Sequence, residues 1–113
     1  MPHCVESEIE AIEYAYKQGW TDGLPVVPPT QDRVDEILRR WGYDAGDEVG
    51  RVPERHRVIT AEMVAANLVM AGGTPDMFQV TLASLEAILD DRYNVVGPSA
   101  STGGAAPLIM VHG

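Results

Sequence analysis

Apolar residues at the start of this chain recur at helical spacing. Val5, Ile9, Ile12 and Tyr16 fall on one stripe, and Ser7 and Glu10 stand at the spacing of a capping box. A first helix is therefore predicted to begin near Ser7 and to stop at Gly19. Glu6, Glu8, Glu10 and Glu13 crowd its start, where the helix dipole favours negative charge. A second stripe, Val34, Ile37, Leu38 and Trp41, follows the cap residue Thr30 and ends at Gly42. Beyond a polar loop at 44–47, residues 49–59 fit one or two short strands interrupted at Pro53. Thr60 is placed to cap a third helix over 61–71, which is apolar on almost every side and is expected to be buried against several neighbours. Gly72-Gly73 stops it, and Thr74-Pro75-Asp76 opens a fourth helix with Phe78, Leu82, Leu85, Ile88 and Leu89 as its stripe. The two make a helical hairpin with a tight turn.

Two segments break the periodic pattern. Residues 20–30 carry Pro25, Pro28 and Pro29, which preclude a helix and forbid a central strand. After strand-like residues 93–96, residues 97–107 are small and rich in Gly and Ser. Leu108 to Val111 then reads as a fully apolar strand, and such strands belong in sheets covered on both faces. The covering layer is expected from a second protein subunit contacting Leu108 to Gly113. The expected fold is α/β or α+β, a single domain or small subunit of about four helices and three or four short strands, with the sheet completed by that partner chain.

Composition narrows the partners. The chain has 113 residues, 45% hydrophobic and 22% charged, which fits one globular domain. A net charge of −9 argues against nucleic acid and against an anionic membrane surface. The N-terminus lacks the pattern of a signal peptide, no apolar run approaches the ~20 residues of a membrane span, and the single Cys4 forms no internal disulfide. A cytoplasmic location is the default expectation.

Two loops carry the candidate chemistry. In residues 20–30 an extended, proline-fixed backbone leaves polar groups available to a ligand. Asp22 is the candidate general base, with Trp20, Thr21 and Gly23 around a substrate. The competing structural reading makes Asp22 the side chain of an Asx-turn reaching the backbone near Leu24, and Trp20 a core residue. In the second loop Ser101 and Thr102 are candidate nucleophiles or hydroxyl ligands, and Ser99, Gly103, Gly104 and the later His112 are candidate substrate contacts. Small residues there let backbone N–H groups approach an anion. The loop lacks the Lys of a P-loop and the Gly-x-Ser-x-Gly of a nucleophile elbow. Arg51, Arg55, His56 and Arg57 form a basic cluster that would dock an anion or balance nearby acids. No His, Cys or Asp pair has zinc-ligand spacing, so no metal ligand is assigned, and no cofactor is identified. His112-Gly113 after a buried strand would also suit one side of a backbone scission that frees a nucleophilic N-terminus.

The run from Gly19 to Thr30, Gly-Trp-Thr-Asp-Gly-Leu-Pro-Val-Val-Pro-Pro-Thr, resembles the opening of a family of longer, largely uncharacterised bacterial proteins. The stretches from Ile59 to Pro75 and from Asn94 to Gly113 are similar to the same family, so the likeness spans nearly the whole chain. Where those relatives tend to have Cys after Met-Ala-Gly, this chain has Gly73. The resemblance implies architecture and incompleteness rather than a reaction. Together these features predict the small subunit, or N-terminal portion, of a heteromeric enzyme acting on a small molecule at a site shared between chains. The alternatives are a non-catalytic assembly or regulatory subunit and a free-standing small-ligand binding module.

Overall fold

The computed structural model describes residues 8–52, 56–90, 92 and 107–112. Its elements run α1 (Glu8–Lys17), α2 (Gln31–Trp41), β1 (Glu48–Val52), β2 (Arg57–Thr60), α3 (Ala61–Met70) and α4 (Phe78–Leu89), the last entered through a 3-10 turn at Pro75–Met77. The described residues thus form the expected mixed α/β class, with four α-helices and one two-stranded antiparallel sheet.

Local chemistry explains where the helices start and stop. The Thr30 hydroxyl accepts from the Arg33 N–H, and that of Thr60 from the Met63 N–H, each at 3.4 Å. At α3 the two preceding N–H groups are also satisfied, Ala61 donating to the Asp47 carbonyl at 2.8 Å and Glu62 to that of Ala45 at 3.1 Å. The first-turn donors that a helix leaves without an internal partner are thus met by its own approach loop. That loop is in turn shaped by Asp47, whose carboxylate accepts from the Asp44 N–H at 2.9 Å. Gly19, Gly42 and Gly72 end α1, α2 and α3 in the left-handed region, with φ of 75°, 72° and 83°. Each closes a Schellman pair. At α2 these are Tyr43 N–H to Leu38 carbonyl at 2.9 Å and Gly42 N–H to Arg39 carbonyl at 3.3 Å.

The core lies between α2, α3 and the start of α4. Val34, Ile37 and Leu38 meet Ala61, Val64, Ala65 and Val69, and Phe78 fills the space where α4 begins. The α2 C-terminus and the α3–α4 turn are locked together. The Trp41 indole Nε1–H donates to the Pro75 carbonyl at 2.8 Å, Arg40 pairs with Asp76, and Tyr43 meets Phe78 edge-on at 5.5 Å. The β1–β2 hairpin packs on the far end of α4. A Cβ at Gly50 would lie 2.6 Å from Leu89 Cδ1, so the bare glycine lets the Leu89 side chain rest against β1 there. Between Glu48 and Gly50 the register shifts, and Val49, the extra residue, packs against the core.

Of the α1 stripe, Ile9 and Tyr16 are exposed and Ile12 is half-buried, Val5 lies outside the described residues, and Ala15 is the buried residue of the helix. Two expectations are corrected. α3 is not enclosed on all sides. α2, β2 and α4 cover most of it, but Met63, Asn67 and Ala71 face outward. Finally, residues 108–111 form no strand. They are exposed and lie along α4, beyond any ladder partner among the described residues. The 49–59 segment does form two strands, with residues 53–55 outside the described set.

Candidate functional site

The residue 20–30 loop is built by α1's own C-cap. After Gly19 the chain turns back, and Trp20 meets Tyr14 edge-on with ring centroids 5.7 Å apart. Trp20 is therefore a half-open flank of α1 rather than a core residue. The turn that follows is closed by Thr21, whose hydroxyl donates to the Leu24 carbonyl at 2.8 Å. Sequence reasoning gave that role to Asp22. Asp22 is instead exposed, and no described residue donates a hydrogen bond to its carboxylate. Gly23 takes a φ of 109°, and a Cβ there would sit 3.7 Å from the Tyr16 ring, so the turn runs directly against that ring. Beyond it Val27 N–H donates to the Met70 carbonyl at 3.2 Å, which fastens the proline segment to the end of α3.

His112 lies elsewhere. It lines an open apolar groove of about 500 Å³ whose other walls are Val80, Ala83, Ser84, Ala87 and Ile88 of α4 and residues 108–111. No residue of the 20–30 loop lines it. Ser99, Ser101, Thr102, Gly103 and Gly104 lie outside the described residues, as do Arg55 and the 93–96 run. A second groove of about 480 Å³ runs between α3 and α4, walled by Ile59, Met63, Val64, Leu68, Ala71 and Leu85 with Asn67 and Thr81. Both of its polar side chains already donate within their own helices, Asn67 to the Met63 carbonyl at 2.8 Å and Thr81 to the Met77 carbonyl at 2.7 Å.

The groove beside His112 was missed because the sequence reading assigned α4 a single stripe. Val80, Ala83, Ala87 and Ile88 form a second one at helical spacing, and that pattern is the signal that was present. In the basic cluster, Arg51 is engaged by Glu48, donating to both carboxylate oxygens at 2.9 and 3.1 Å. That hydrogen-bonded guanidinium holds the Glu48 carboxyl below the usual carboxylate range. His56 turns the hairpin with φ of 51°. Among the described residues no three His, Cys, Asp or Glu side chains come together as a metal site, and no helix is long and apolar enough to cross a membrane. Comparison with protein-family models, with curated proteins and with solved structures finds no match to this chain.

Proposed function

We propose that this chain works as a component of a larger heteromeric assembly, docked through the outer face of α4 and residues 108–112. The observation that carries this reading is the apolar run at 108–111. Leu108, Met110 and Val111 are 84%, 72% and 68% exposed, beside an apolar α4 stripe that includes exposed Val80. Contiguous apolar surface of this kind marks an interaction site more often than a free surface. An extended segment with unladdered backbone groups also supplies what β-augmentation by a partner requires.

The two grooves described are almost wholly apolar, which favours macromolecular docking over recognition of a polar small molecule. A contribution to catalysis by the Asp22 loop would then be exercised within the assembly. The test is to isolate the protein from its own cells under native conditions and measure its mass. It is expected in a stoichiometric complex with a second polypeptide, released by the paired substitution Met110→Ser and Val111→Ser. A freely soluble monomer with no companion would refute the reading.

A further inference from the structure

The apolar stripe of α1 is uncovered, and it continues onto the loop that follows. Ile9, Ile12 and Tyr16 share one helix face by their spacing, with Ile9 70% and Tyr16 59% exposed. The turn at Gly23 passes against the Tyr16 ring and delivers Leu24, 71% exposed, beside it. None of these four residues belongs to the core cluster or lines either groove. The patch is therefore separate from the surface assigned above.

Its rim is acidic. Glu13 beside the strip and Asp22 in the following turn are exposed, with Lys17 as the one basic residue of the helix. A second copy of a chain carrying a net charge of −9 would bring the same acids face to face, which disfavours self-association here. An apolar strip edged with carboxylates complements a helix with apolar residues at i, i+3, i+4 and i+7 and basic residues beside them. We infer that α1 and residues 21–24 form a second docking surface, and that its occupant is a basic amphipathic helix of another protein.

The experiment uses the full chain, amide NMR and two synthetic helical probes of equal length, one Leu/Lys and one Leu/Glu. The Leu/Lys peptide is expected to shift the amides of residues 9–24, with affinity falling as salt is raised. Ile9→Ser with Tyr16→Ser removes two apolar contacts and is expected to weaken binding about tenfold or more. Both side chains are exposed and outside the core cluster, so the core is untouched. Val58→Ser, an equally apolar change on the outer face of the hairpin, leaves binding unchanged. Equal binding of the Leu/Glu peptide, shifts confined to α3 and α4, insensitivity to the double substitution, or dimerisation through α1 would each overturn the inference.

Discussion

Phe78 offers the sharpest test of how this fold is held. It is 0% exposed and, with Ile37, is one of the two largest fully buried side chains among the described residues. Its ring is the point where α4 meets α2, edge-on to Tyr43 at 5.5 Å. Truncating a buried Phe to Ala costs about 3–5 kcal/mol from lost transfer energy and the cavity left behind. The neighbouring Trp41–Pro75 hydrogen bond and the Arg40–Asp76 pair pin the helix ends in place, so the cavity has little scope to collapse. The upper half of that range is therefore expected. Against a total stability of about 5–15 kcal/mol for an ordinary domain, this is a large share. At roughly 4 °C per kcal/mol, Tm should fall by more than about 10 °C. The ring-on-ring component is separable. A double-mutant cycle of Phe78→Leu and Tyr43→Leu should give a coupling of about 0.5–1.5 kcal/mol. Urea unfolding followed by far-UV circular dichroism measures each variant. A loss below about 1 kcal/mol for Phe78→Ala would show that this junction does not organise the core.

Two further outcomes follow from backbone conformation and from the surface pair. Gly42 and Gly46 both have open space where a Cβ would go, but only Gly42 holds a left-handed φ, at 72°. Gly42→Ala should therefore lose about 1 kcal/mol, the left-handed penalty less the gain from a stiffer unfolded chain, while Gly46→Ala should be neutral or slightly stabilising; equal effects in thermal unfolding would contradict the assignment of the C-cap. Because the Glu48 carboxyl is held low chiefly by its hydrogen bonds from Arg51, its share of stability is present above the ordinary carboxylate range and fades as pH falls through the lowered value. Arg51→Ala should return the Glu48 titration, followed by carboxyl-carbon NMR, to that ordinary range, and an unchanged midpoint would mean the pair does not form in solution.

Much of the architecture was legible because its signals are local. Thr30 and Thr60 cap the helices they were assigned to, and Gly19, Gly42 and Gly72 stop theirs, since each acts through backbone groups within a few residues. What depended on distant partners was not readable. Trp41 was legible as a buried-face residue, but nothing in its surroundings names Pro75, 34 positions away, as its acceptor. Gly50 gives no hint in sequence that Leu89 rests on it, and the extra residue at Val49 is set by pairing with β2 rather than by composition. Within the candidate site, the turn at 21–24 was anticipated, but the side chain that closes it was not. Thr21 and Asp22 are both competent, and only the backbone path decides between them.

The exposure of the α1 stripe lay beyond the sequence for the same reason. Periodicity shows that a helix has an apolar stripe, but whether anything lies against that stripe is a tertiary fact. At ten residues α1 is shorter than the ~12–15 at which an isolated helix becomes even marginally stable in water. Among the contacts that hold it are the buried Ala15, the Gly19 cap and the edge-on packing of Tyr14 against Trp20. A helix of this length with Ile9 and Tyr16 facing water sits toward the low end of local stability. Covering Ile9, Tyr16 and Leu24 with another protein's helix would add burial where the chain itself supplies least. Docking should therefore stabilise α1 further, and amide protection in α1 should rise with occupancy more than anywhere else in the chain.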